Sequence, residues 1–187
     1  MNFVNAIIPK QEYKDKDSLG SKIIVHLDPI EKDGNVYCAE TIVDEYKEDE
    51  INSAYSEWKK RINDEELKIA KDNKVNDISK YDTSDAVNSF SINGVSLWLN
   101  RNDRNALMRR FEAEKASGIE NTTLWYGINK FDLAVDDAIN MLNNIEVYAC
   151  KCYDATASHK AAVEHLTSID DVNNYNYTTG YPDKISL

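Results

Sequence analysis

The sequence predicts an α+β fold in which antiparallel hairpins pack on helices. Three pairs of β-branched or aromatic runs close on turns bearing Gly and Asn. Around them, apolar residues recur at steps of three and four, the period of a helix with one buried face. The chain has 187 residues, 42% hydrophobic and 29% charged. That is enough to bury a core as one domain, or one domain plus an arm. Residues 82–187 are expected to run ββαββα with a long C-terminal helix. An N-terminal β-hairpin and helix precede them. Residues 1–80 are expected to form an attachment or partner region, and residues 81–187 a C-terminal α+β domain with a Tyr-rich tail.

The start, MNFVNAIIPKQEYKDKD, has no basic n-region or long apolar core and is not expected to be a signal peptide. Residues 22–43 read as a hairpin. Ile23-Ile24-Val25-His26-Leu27 is the outgoing strand, Lys32-Asp33-Gly34-Asn35 the turn, and Val36 to Val43 the return. Two strands alone are marginal in water, so this hairpin needs a partner surface. From about Lys47 to Lys74 the period becomes helical, with Ile51, Ala54, Tyr55, Trp58, Ile62 and Ile69 on one stripe. Periodicity fades between Asp72 and Ser84, which marks a candidate boundary.

Residues 87–99 hold the strongest local signal. Asn93-Gly94 is the two-residue turn of a tight hairpin. In that register Ile92 faces Val95, Phe90 faces Leu97, and Asn88 faces Leu99. Trp98 falls among Ser residues on the other face, which implies that this face is partly covered. Asn102 or Asp103 is expected to cap a helix reaching Ala116, with Gly118 ending it. Arg104 lies on that helix's inner stripe with Leu107, Met108 and Phe111. Its stem is expected to be buried and its guanidinium paired with a carboxylate or backbone carbonyls.

A further hairpin spans residues 122–135 with a turn through Gly127-Ile128-Asn129-Lys130. Asp136 and Asp137 then open a long helix, where carboxylates favour the dipole. It is expected to reach about Thr167. Its stripe is Ile139, Leu142, Ile145, Ala149, Cys152, Thr156, His159, Val163 and Leu166. The steps resemble a heptad seam. At about 1.5 Å per residue the helix would exceed roughly 45 Å, so either a bend near Asp154-Ala155-Thr156 or a partner chain along the seam is expected. Thr156 and His159 would then act as polar register marks. The end, from Val172 to Pro182, is polar and Tyr-rich and is expected to lie extended on a surface.

Composition and spacing argue against most active-site chemistries. The net charge is −11, which gives no sequence-wide attraction to nucleic acid or anionic lipid. No apolar run approaches the roughly 20 residues of a membrane helix. Three Cys is an odd count, without the framework of a disulfide-rich secreted domain. Cys150 and Cys152 are rotated roughly 200° apart on a helix, and His159 and His165 roughly 240° apart, so neither pair converges on a metal. No HExxH, GxSxG, GxGxxG or Walker loop is present. The acidic pairs Asp136-Asp137 and Asp170-Asp171 are read as helix-start groups. The bases Arg101, Arg104, Arg109, Arg110 and Lys115 are read as a largely solvated face with Glu112 and Glu114 as intrahelical partners. No catalytic, cofactor-binding or metal residue is therefore assigned, and no cofactor is expected.

From about Tyr81 onward the chain resembles a family of C-terminal domains of unknown function. That family is found in bacteriophage tail and tail-fibre-assembly type proteins and in prophages of gut bacteria. The resemblance rests on several features in order: the hairpin 87–99 with Asn93-Gly94 and Trp98, Arg104, Gly118 and Leu124-Trp125. After these come Tyr148, Cys152-Tyr153, Thr156, His159-Lys160-Ala161-Ala162-Val163, Tyr175-Asn176-Tyr177 and Gly180-Tyr181-Pro182. It implies a non-enzymatic phage structural or assembly protein, a tail or tail-fibre-associated virion component acting through protein–protein contacts. A cytoplasmic tail-fibre assembly chaperone is the alternative, and a small metal-dependent hydrolase using the acidic pairs is the alternative from another class. The expected location is the virion or the cytoplasm of the infected bacterial host. Expected partners are other phage structural proteins or a second copy, with no nucleic acid, membrane or small-molecule substrate. Arg104, Trp98, Thr156, His159, Ile145 and Cys152 are the candidate structural or interface residues.

Overall fold

The computed structural model describes residues 1–187. The fold is α+β, with antiparallel sheets, four α-helices and a long C-terminal helix. Two compact units divide at Lys68/Ile69, inside the helix α1 (Glu48–Asp82) and upstream of the expected boundary at 80/81.

The first unit is a four-stranded antiparallel sheet in the order β1-β4-β3-β2. Its strands are β1 (Val4–Pro9), β2 (Lys16–Leu19), β3 (Lys22–Lys32) and β4 (Asn35–Val43). The predicted hairpin is its centre, closed by Asp33 and Gly34, both at positive φ. The partner surface that this hairpin needs comes from its own chain. Ile23, Val25, Leu27, Ala39 and Val43 face the first turns of α1, where Phe3, Ile51, Ala54, Tyr55 and Trp58 complete a core. β1 and β2 occupy opposite edges, so their connection must cross the sheet. Residues 10–15 do this on the face away from α1. Tyr13 lies against the His26 ring, and the Lys14 carbonyl is 2.6 Å from His26 Nδ1. Val36, Cys38 and His26 are buried as a result.

The second unit holds β5 (Phe90–Ile92), β6 (Val95–Leu97), α2 (Arg101–Ala116), β7 (Asn121–Tyr126), β8 (Asn129–Ala134) and α3 (Val135–His165). This is the expected ββαββα order, followed by a short helix, α4 (Ile169–Asn174). The Asn93-Gly94 turn sets the register read from the sequence, with Phe90 opposite Leu97 and Ile92 opposite Val95. Gly118, at φ +73°, ends α2. It places the Gly118 and Ile119 N–H groups on the Lys115 and Glu114 carbonyls. Phe90, Ile92, Leu97, Leu99, Phe111, Leu124, Phe131, Leu142 and Ile145 meet in one core.

Three expectations are corrected. The α2 cap is Asn100, not Asn102 or Asp103; its extended backbone lets the side chain accept from the N–H groups of those two residues. α1 does not end at Lys74 but runs to Asp82. Its inward positions there are Lys71, Lys74, Val75 and Ile78. The two ammonium groups donate to the Glu164 and Asn173 carbonyls at 2.6 and 2.9 Å, so polar residues stand where an apolar period was sought. Ile69, placed on the apolar stripe by its spacing, is 59% exposed. Finally, α3 runs from Val135 to His165 as one continuous helix, with no break in its hydrogen-bonded turns at Asp154. Its stripe is covered within the second unit, so the partner-chain explanation of its length lapses.

Candidate interaction surface

The six residues singled out from the sequence all lie in the second unit; five of them divide into two groups, and the sixth, Ile145, lies in the main core. Arg104 and Trp98 form the first. The Arg104 side chain is only 8% exposed. Its Nε donates to Glu146 Oε2 at 2.6 Å and its Nη1 to the Leu99 carbonyl at 2.7 Å. Its guanidinium lies over the Trp98 ring at 5.6 Å. Trp98 also meets Phe90 and Tyr148 edge-on. The expected carboxylate and the expected carbonyl are both present, and α2 is tied to α3.

Thr156, His159 and Cys152 form the second group, on the face of α3 that receives the C-terminal tail. Thr156 donates to Asp82 Oδ1 at 2.7 Å, and the Tyr181 hydroxyl, 2.9 Å away, is placed to donate to Thr156. The Thr179 carbonyl accepts at 2.8 Å from His159 Nε2, which therefore carries a proton; Nδ1 faces the Tyr175 hydroxyl at 2.8 Å. Tyr81 packs edge-on against Tyr177 and Tyr181. Cys152 is buried with Val87 and Tyr148, and burial raises its thiol above the ordinary range. The Tyr148 hydroxyl donates to the Val87 carbonyl at 2.7 Å. Burial, first of all, pushes this phenol well above its usual value.

Val172 to Asn174, expected as part of the extended tail, instead close the helix α4 with Val172 buried; from Tyr175 onward the tail is more than laid on the surface. The Leu187 N–H donates to the Ser91 carbonyl and the Asn93 N–H to the Leu187 carbonyl, so the terminus pairs with β5. Ile145 is fully buried in the main core. The polar residues expected as register marks for another chain are thus occupied by this chain's own tail. Cys150 is exposed and Cys152 buried, as their angular separation requires.

The surface left open lies elsewhere. In the first unit, β3 carries a bulge between Leu27 and Ile30. Asp28, at φ +51°, turns its carboxylate to α1, where the Lys59 ammonium and the Tyr55 hydroxyl donate to it. Beyond the bulge, Ile7, Tyr37 and Ile30 form a cross-strand row on the face that α1 covers only in part. Ile7 and Ile30 are each 64% exposed. A groove of about 400 Å³ separates this row from α1, with Asn5, Tyr37, Trp58, Ile62 and Glu66 among its walls. The sequence signal for this edge is the largely apolar stretch Phe3 to Ile8, too short and too little alternating to mark a strand by itself. A second apolar feature is the β7–β8 tip, where Trp125 and Ile128 project.

The hydrogen bonds from Lys59, and then from Tyr55, hold the Asp28 carboxyl below the usual carboxylate range. A lowered folded-state pKa stabilises the unit above the unfolded value of about 3.9 and ceases to do so as pH falls through the folded pKa. The carboxylate is half exposed, so screening keeps the effect under about 1 kcal/mol. The gap in unfolding midpoint between wild type and Asp28→Asn is therefore expected to shrink as pH is lowered from 7 to about 3. A gap constant across that range would show that the contact carries no linked stability.

Comparison with family models, curated proteins and solved structures finds no match for this chain.

Proposed function

We propose that this chain is a non-enzymatic bacteriophage structural or assembly protein that works through protein–protein contacts, as a tail or tail-fibre-associated component. The observation that carries the interaction role is the open surface of the first unit. There an apolar row, a groove and an uncovered sheet edge adjoin on one small sheet. A contiguous apolar surface of this kind marks a site of association. The phage assignment draws its support from the resemblance of residues 81–187, whose hairpin, Arg104 and tail residues recur in the same order. The second unit spends its distinctive side chains on internal ties: Arg104 to Glu146, Thr156 to Asp82, His159 to Thr179. Partner contact is accordingly assigned to the first unit.

Mass spectrometry of purified particles from the phage or prophage that encodes the chain tests this reading. Stoichiometric presence is expected for a virion component. Absence from particles, with expression in infected cells, would instead indicate an assembly chaperone. Expression unlinked to any particle would remove the phage reading.

A further inference from the structure

The two edges of the first sheet are protected differently. β2 carries Lys16 and Asp17 within four residues, the charged blunting by which natural sheets discourage further pairing. β1, Val4-Asn5-Ala6-Ile7-Ile8-Pro9, carries no charge. It pairs with β4 on one side only, and its Val4 and Ile7 are 54% and 64% exposed. An uncharged apolar edge of this kind is a template for another strand.

We propose, resting on the interaction role inferred above, that β1 pairs with β1 of a second copy of this chain. The pairing is antiparallel about a two-fold axis and joins the two sheets into one. Register favours a second copy. Centred on Ala6, antiparallel pairing sets Val4 against the partner's Ile8 and Asn5 against the partner's Ile7, each twice, so no charged side chain enters the ladder. Alternation favours it as well. Val4 and Ile8 share one face of the strand, Asn5 and Ile7 the other, so one contact covers both exposed residues. Charge restricts where two copies can meet. At a net charge of −11 they repel as wholes, whereas β1 is an uncharged strip. The nearest charge after it, Lys10, is paired with Glu31 at 2.9 Å. A two-fold contact is also the commonest way in which one surface patch satisfies itself. A ladder this short buries less than the roughly 800 Å² per partner of a standard interface. The dimer is therefore weak, with a dissociation constant on the order of 100 μM.

Sedimentation velocity of the full chain from about 10 μM to about 1 mM brackets that value. Wild-type protein is expected to move from monomer toward dimer across the range. Ile7→Lys places a charge on the edge at an exposed position and is expected to raise the dissociation constant more than tenfold. Ile30→Lys, equally exposed but on β3, is expected to keep wild-type association. Circular dichroism verifies folding of each variant, with Asn5→Lys as a second edge variant. A wild-type chain monomeric to the top of the range overturns the pairing. So does a dimer that survives both edge variants, or one that Ile30→Lys abolishes. Particle mass spectrometry judges the phage role separately, so a monomer sinks the strand pairing and leaves that role standing.

Discussion

Arg104→Ala is expected to lower the stability of the second unit by about 2–4 kcal/mol. Three losses coincide at this residue. The Leu99 carbonyl loses the donor at 2.7 Å, Glu146 loses its partner at 2.6 Å, and the stem leaves a gap beside Trp98. The cost is not that of a surface ion pair, because Arg104 itself is buried even though Glu146 is half exposed. Arg104→Lys is expected to fall between wild type and Ala. An ammonium lacks the planar fork that reaches Glu146 and Leu99 at once. Arg109, five residues on and exposed, supplies the control; Arg109→Ala is expected to cost under about 1 kcal/mol. Urea denaturation of the three variants decides the matter. Equal midpoints for Arg104→Ala and Arg109→Ala would remove Arg104 from its structural role.

Tyr181→Ala is expected to release the C-terminal tail at a cost of about 2–3 kcal/mol, below that of a fully buried aromatic because the ring is only partly covered. The ring lies 5.4 Å from Tyr81 and 5.7 Å from His159, and its hydroxyl meets Thr156, which is buried and also holds Asp82. Tyr181→Phe removes only the hydroxyl contact and is expected to cost about 1 kcal/mol. The effect should reach beyond the site. Residues 185–187 reach β5 only a few residues after Tyr181, and their short ladder rests on the anchoring of the chain before it. Amide exchange of Asn93 and Leu187 should therefore quicken in Tyr181→Ala and change little in Tyr181→Phe. Unchanged exchange in Tyr181→Ala would mean that the terminal ladder holds itself.

The sequence by itself determined whatever rests on neighbours within a few residues. Asp33-Gly34 and Asn93-Gly94 specify turns because both residues adopt positive φ there, and the strand registers follow. Gly118 ends α2 for the same reason. The period of three and four located α3 to within two residues of its ends. Arg104 was legible because a cation on an apolar stripe has to find acceptors. The tertiary structure alone decided the rest. β1 and β2 become strands because the central hairpin offers them edges; their own four to six residues carry too little pattern to announce it. α1 continues to Asp82 because the carbonyls of Glu164 and Asn173 receive Lys71 and Lys74, contacts about ninety residues away that no local period records. The α3 stripe was visible as a stripe, but which chain covers it was not. Burial depends on what lies opposite, and opposite Thr156 and His159 lie Asp82, Tyr181, Tyr175 and Thr179, brought there by a tail whose own sequence has no period.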